Sequence, residues 1–411
     1  MKRRSLFSIA LGAPLARAGS QLAAPDPRSA PPQPEFDLLL KGGRVIDAAR
    51  SLDGIRDVAI SGGLIAAVAS DIPASSARRA LDVRGHLVVP GLVDIHVHGF
   101  AGVSHAGIDL DPFCIARGVT TAIDAGTSGA DSFEGFRRHV IRSCATRVLA
   151  FLNIARIGLI SPLGELVDSR MIDRAAALRT AREYADDIVG IKVRCSHFYS
   201  GPNDLAAVKA AREVADTIGK PVMIHVGWPH TPMEEILKQA RRGDIITHAF
   251  RGAGEGGVIG EDGHVAPYIR RAAEQGILFD VGHGGGSFSF VAAEAALRED
   301  FLPSTISSDI HATSVLGPAF DLLTTMSKFL LLGVPLAKVI ELATLAPACA
   351  VGLAKTAGSL EPVRPADIAV LDLVKGSFPL VDSKKTVRTA EVKLVPVLTL
   401  REGRGSPASR A

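Results

Sequence analysis

The run Pro90-Gly-Leu-Val-Asp-Ile-His-Val-His98 decides how this chain is read. It is apolar enough for a buried strand and ends in two imidazoles, His96 and His98, two residues apart. Side chains at i and i+2 of a strand share a face, so both rings can reach one metal ion. Without a metal each ring would need its own polar partner among Val, Ile and Leu neighbours, as a hydrogen-bonded core histidine.

Outward from this run, further strand-like segments carry a ligand-type residue near their C-terminal ends. Asp187-Ile-Val-Gly-Ile-Lys192-Val-Arg194 places a lysine in a β-branched run, Pro221 to His225 and Asp244 to His248 end in histidine, and Ser304 to Asp309 ends in a carboxylate. Thr120 to Gly126, Arg147 to Ile154 and Ile277 to His283 read as three more buried strands, eight in all. Amphipathic stretches lie between them, at 131–144, 172–186, 203–219, 232–242 and 268–275. This alternation predicts βα units and a parallel sheet. The fold expected is α/β, a (β/α)8 barrel of the TIM type over 90–355, whose C-terminal strand ends meet at one mouth.

Residues 36–89 contain short strands broken by glycine turns, and Asp367 to Leu373 is another. Neither group alone can bury a core, so a small β-sandwich domain built from both chain ends, 36–89 and 356–400, is expected. A flexible linker over 19–35 and a flexible tail over 401–411 complete the division.

With 47% hydrophobic and 22% charged residues, the 411-residue chain has the composition of a globular enzyme. Its formal charge of +3 reflects the first 18 residues, which hold four of the 46 basic residues and no acid; the remainder carries 42 basic against 43 acidic residues. That balance argues against nucleic-acid binding. Residues 1–18 read as an export leader: Lys2-Arg3-Arg4, an apolar run from Leu6 to Leu15, and Ala16-Arg17-Ala18 as a cleavage site. The apolar run is too short to span a bilayer, and the paired arginines resemble a twin-arginine signal, which predicts a periplasmic protein. Cys114, Cys144, Cys195 and Cys349 show no metal or redox spacing and are expected to be buried small hydrophobes without an essential disulfide.

Taken with the blocks Arg117 to Gly126, Phe151 to Gly158, Val189 to Arg194, Phe279 to Gly284 and Thr324 to Phe329, the chain resembles the amidohydrolase superfamily over about Phe36–Leu373. More narrowly it is similar to its deacetylase-type, dihydroorotase-like members. The resemblance implies two divalent metal ions, zinc expected, with His96, His98 and Asp309 binding one and His225 and His248 the other. Lys192, carboxylated by carbon dioxide to a carbamate, would bridge them. An ammonium at Lys192 in an apolar strand would be costly to desolvate and worse beside two cations; the alternative is an ion pair with Asp309. Two close metals lower the pKa of a shared water from ~15.7 towards ~7, and Asp309 is the expected general base.

No nucleophilic serine is needed, and Gly126-Thr-Ser-Gly129 lacks the nucleophile elbow. Gly252-Ala-Gly-Glu-Gly-Gly257 fits a dinucleotide pattern that is weak alone; it reads better as part of a mobile loop, Arg251 to Gly263, over the mouth. His283 is expected to bind substrate or a transition-state oxygen. Arg194, two residues beyond Lys192, either holds a substrate carboxylate or pairs with a nearby acid, and Tyr199 is a further substrate-side candidate. His86, His105, His139, His197, His230, His264 and His311 are read as surface, loop or supporting residues.

The expected activity is removal of a small acyl group, acetyl above all, from an amide or ester of a hydroxy or amino acid. Dihydroorotases resembling this chain carry an arginine shortly after the paired histidines, where this one has Gly99-Phe100. A cyclic amidase of the dihydroorotase or hydantoinase kind is the alternative enzyme, and a non-catalytic scaffold on the same fold the alternative class; self-association is left open.

Overall fold

Leu92–Val97 is buried on both faces, as a strand must be when helices cover one side of a parallel sheet and a filled barrel the other. The computed structural model describes residues 34–407. In it, β6 (Leu92–Val97) begins a seven-stranded, all-parallel sheet with β7 (Val119–Gly129), β8 (Arg147–Asn153), β9 (Ile188–Cys195), β10 (Val222–Val226), β11 (Ile245–Thr247) and β12 (Leu278–Asp280), in sequential order. The eighth expected strand, 304–309, is not a continuous ladder. It closes the barrel through single parallel bridges, Asp280 to Thr305 on one side and Val97 to Ile310 on the other.

Backbone bonds still join this segment to both neighbours, with Val281, His283 and Gly284 donating to the Thr305, Ser307 and Ser308 carbonyls and His98 to that of Ile310, and side chains add to them. Thr305 and Ser307 hydroxyls donate to Asp280 at 2.6 and 2.7 Å. Asp94, buried in β6, accepts from the Ser308 hydroxyl and, at 3.1 Å, from the Ser308 N–H, tying the last segment to the first strand.

Helices occupy every stretch where amphipathic periodicity placed them, though often shorter. Asp204–Ile218 is ended by Gly219, and Arg174–Glu183, Phe290–Arg298 and Leu322–Leu331 start on Asp173, Ser289 and Asp321, whose side chains accept from the first turn. One large core lies between strands and helices. A second apolar group with Val93, Ile123, Phe151, Met223 and Ile245 draws on several strands and fills the barrel beneath the mouth.

Both chain ends join in one mixed eight-stranded sheet. It contains β1 (Phe36–Asp47), β2 (Leu52–Ser61), β3 (Leu64–Ala69), β4 (Ala77–Asp82), β5 (Leu87–Pro90), β13 (Ile368–Val381), β14 (Val387–Arg401) and β15 (Arg404–Pro407). Its own core includes Leu40, Val58, Val88, Ile368 and Leu400. Glu402 and Gly403, both at positive φ, turn the chain back so that β15 pairs with β14; residues 401–407 therefore belong to the sheet rather than to the expected tail.

The Gly252–Gly257 run leads into turns and an Ile259–Val265 bridge, not a helix. Among the described residues no helix is long and apolar enough to cross a membrane. Cys114 and Cys195 are buried and Cys144 is half-buried, but Cys349 is exposed, against expectation. The leader and linker readings lie outside the described residues.

Candidate metal centre

His96, His98 and Asp309 meet at the mouth of the barrel. Asp309 Oδ1 lies 3.3 Å from His96 Nε2 and 3.2 Å from His98 Nε2, and all three side chains are buried. The orientation of each ring is set behind it. His96 Nδ1 is 2.8 Å from Thr247 Oγ1, and that hydroxyl spends its proton on Asp280 Oδ2 at 2.8 Å. His96 Nδ1 must therefore be the donor, which leaves the Nε2 lone pair facing the site. His98 Nδ1 sits 2.9 Å from Thr127 Oγ1, and Thr127 is in turn bonded to the buried Asp124.

His248 donates from Nδ1 to the Gly282 carbonyl at 2.6 Å, and its Nε2 lies 2.8 Å from His225 Nδ1. Two imidazole nitrogens thus face each other beside the first cluster, with the His96 and His248 rings 5.0 Å apart. Lys192 enters from below. Its Nζ is fully buried, 3.3 Å from His96 Nε2 and 3.4 Å from Met223 Sδ, and among the described residues no carboxylate lies within ion-pairing distance. The stem of Lys192 passes directly over Gly126, where a Cβ would come within 2.6 Å of it.

Burial dominates the electrostatics. It holds the His96, His225 and His248 imidazoles well below the usual histidine range and His98 down to about 3, so all four are neutral. It raises the Asp309 carboxyl to about 6 and lowers the Lys192 amine to about 7. His248 and Asp309 also sit at φ of +71° and +48°, left-handed backbone that costs non-glycine residues about 1–3 kcal/mol and that clusters at functional sites.

Neutral imidazoles with converging lone pairs, an anionic oxygen and a buried amine lacking an acid partner fit divalent cations. His96, His98 and Asp309 would hold one, and His225 and His248 a second. Lys192 stands beside the first group.

The other sequence-predicted residues divide. Tyr199 lines the cavity, its ring edge-on to His225. Arg194 also lines it, but two of its nitrogens bond Glu165 at 2.7 and 2.6 Å, and it stacks 3.5 Å over Tyr199. Of the two readings left open, the pairing with an acid is the one present. Burial opposes the Arg194 charge, yet Glu165 outweighs it and the net direction is upward.

His283 does not face the cavity, and the expectation of substrate contact is corrected. A Cβ on Gly282 or Gly284 would strike His248 Nδ1 at 2.9 Å or Asp309 Oδ2 at 2.1 Å, so those positions face the site, whereas His283 between them is fully buried and absent from the cavity lining. Its Nε2 meets Lys328 Nζ at 2.6 Å behind the barrel.

Sequence reading also missed several residues of the site. Thr127, Thr247, Asp124 and Asp280 orient ligands. Asp124 and Asp280 were visible as acids inside apolar strands; the threonines carried no such signal. Glu165 lies in a coil with nothing to mark it, and His105 and His311, taken as supporting residues, line the cavity of about 450 Å³.

The chain is similar to known proteins over most of its length. A model of the amidohydrolase family matches residues 87–404. A deacetylase of Agrobacterium fabrum is 39% identical over 334 residues, 80% of this chain and 82% of that protein. A crystal structure of an adenine deaminase superposes with a TM-score of 0.85 at 32% identity, over 90% of this chain and 100% of that one. One of a dihydroorotase gives 0.83 at 34% identity, over 91% and 98%. A match over most of the chain, running from the start of the barrel into the closing sheet and enclosing every ligand described above, makes this protein a member of the amidohydrolase family.

Proposed function

We propose that this protein is a binuclear metal-dependent hydrolase that removes a small acyl group, acetyl above all, from an amide or ester. One observation carries the reading: four neutral imidazoles, a carboxylate and an acid-free buried lysine from five barrel segments converge on one cavity. The similar protein named a deacetylase supports the acyl specificity.

When bound, two divalent cations would supply Lewis acidity and a water activated at neutral pH. The protein's own part follows from its geometry. Lys192, with its amine lowered to about 7 by burial, keeps a neutral, nucleophilic fraction whose nitrogen can form a bond to the carbon of carbon dioxide and release one proton to solvent, leaving an anion with two donor oxygens. Asp309, at the junction of both His96 and His98, takes a proton from the attacking water and returns it to the leaving nitrogen or oxygen. Thr247 and Thr127 keep the rings from turning, and Gly284 gives Asp309 Oδ2 room to lie against the backbone.

The test is metal analysis with an acetyl-amide and acetyl-ester library. Wild type is expected to hold about two divalent ions per chain and to deacylate members of that library. Lys192→Ala should lose the second ion and turnover, with partial recovery in a short carboxylic acid that replaces the carbamate oxygens. Wild-type metal content and turnover in Lys192→Ala would overturn the bridging role, and hydrolysis of cyclic ureides alone would replace the acyl reading by the cyclic-amidase one. Export through residues 1–18 is proposed alongside; N-terminal sequencing of protein from the native host is expected to find a start near Gly19, and an uncut cytoplasmic form would exclude it.

A further inference from the structure

Two guanidinium groups line the cavity, and they are not equivalent. Arg194 is neutralised by Glu165, whose side chain is fully buried. Among the described residues Arg251 has no such partner. It is 5% exposed, and its contacts are all to neutral oxygens: Nη1 to the Val226 carbonyl at 3.2 Å, and Nη2 to Ser287 Oγ at 3.0 Å and the Gly286 carbonyl at 3.5 Å. Its Nε finds no acceptor among the described residues. Of the two carboxylates whose fields reach it, Glu255 is claimed by Lys384 at 2.6 and 2.7 Å, and Asp309 lies against His96 and His98. A buried cation left uncompensated is expensive, and it persists where something else supplies the anion.

The surroundings are built around this group. A Cβ on Gly227 would fall 1.5 Å from Arg251 Nη1, so the guanidinium rests on bare backbone that no other residue could offer. Trp228 stacks against its other side with the guanidinium carbon 4.6 Å from the ring centroid. Trp228 does so at φ +47°, a left-handed conformation unusual for a bulky residue. Hydrogen bonds from Trp228 N to Glu255 O and from His197 N to Trp228 O, both 3.0 Å, hold that turn in place. Gly227, Trp228 and Ser287 also line the cavity that holds the metal ligands.

We propose that Arg251, and not Arg194, recognises an anionic group of the substrate, a carboxylate near the scissile acyl linkage, with Gly227, Trp228 and Ser287 as the cradle that holds its guanidinium at the cavity wall. The assignment deepens the acyl-hydrolase reading and rests on it for the word substrate. Arg194 is a positioning residue, fixing Tyr199 and Glu165.

The experiment uses metal-loaded protein and a short alkyl sulfonate, an oxyanion that ligates metals poorly, against the isosteric neutral sulfone, with binding measured by calorimetry. Wild type is expected to prefer the sulfonate. Arg251→Gln should erase that preference, a loss of about ten- to a hundredfold for a charge-assisted contact, while metal content and melting temperature report that the fold is kept. The paired change Glu165→Gln with Arg194→Met should leave the preference standing. Should Arg251→Gln fail to fold, Arg251→Lys decides: it keeps the charge but loses the stacked plane, so a weakened preference supports the assignment and an unchanged one overturns it. Equal sulfonate binding in Arg251→Gln, loss only in the Arg194 pair, or no preference in wild type would each overturn it too. Failure of the acyl reading looks different: sulfonate is bound through Arg251, but no acetyl compound is turned over.

Discussion

Thr247 illustrates how much of a metal centre is decided one residue behind its ligands. Its hydroxyl links His96 Nδ1 to Asp280, which commits His96 to the tautomer with an open Nε2. Thr247→Val preserves shape and removes that link. The expected result is a ten- to hundredfold weaker affinity for the ion held by His96, His98 and Asp309, read by competition with a chromophoric chelator; undiminished affinity would mean that packing alone orients the ring. Asp309→Asn should behave differently, retaining much of the metal while turnover collapses, because a neutral amide cannot accept the proton.

At the scale of elements, the turn after β12 carries the tightest constraint. Gly284 lies against Asp309, and a methyl there would need the space of Oδ2. Gly284→Ala should displace Asp309 and lower kcat more than tenfold, with smaller effects on the melting temperature; normal turnover would show that the turn can give way. Behind the same turn, Lys328 in the helix Leu322–Leu331 donates to the carbonyls of Pro318 and Val381, both at 2.8 Å, besides meeting His283. Burial lowers its amine to about 7 from the ordinary 10.5. The unfolded chain therefore takes up a proton over a range where the folded protein does not. Stability from this site is full above about pH 10.5, declines as pH falls towards about 7 and is level below. Urea titrations of wild type and Lys328→Met at pH 7 and pH 9.5 are expected to show the wild type gaining on the variant at the higher pH; parallel curves would mean Lys328 stays charged when buried.

For the whole molecule, a metal ion at this site would be a structural tie as well as a reactive one. The candidate ligands come from β9, β10, the C-terminal ends of β6 and β11 and the 304–310 segment, and the last of these is held to its neighbours by isolated bridges, a few backbone hydrogen bonds and side-chain hydrogen bonds. An ion bound there joins the least regular segment to the rest of the barrel. Binding to the folded state alone adds about 4 kcal/mol when free ligand exceeds its Kd a thousandfold. Chelation should therefore lower the melting temperature by several degrees and restored metal should return it; calorimetry before and after chelation checks this, and an unchanged transition would remove the structural role.

Chemistry-bearing residues at strand ends were legible in the sequence because a buried parallel strand has no polar residues to spare. A histidine, lysine or aspartate in such a run stands out, which is why His96, His98, Lys192, His225, His248 and Asp309 and the barrel beneath them could be read from composition, spacing and resemblance. Inward and outward facing after β12 could not be read, since it depends on counting residues through glycines, and His283 was lost to that. The bulge in β6, where Asp94 pairs with Ala122 but Val97 with Asp124, is equally silent in a one-dimensional pattern. Partners far apart in the chain were the other gap: whether Arg194 meets Glu165, and whether Arg251 meets any acid at all, depends on which loops share a wall of the cavity. Local physics chose the strands and their ligands; the long-range packing of coil segments, with no period to betray it, decided which charges were paired and which was left for a ligand.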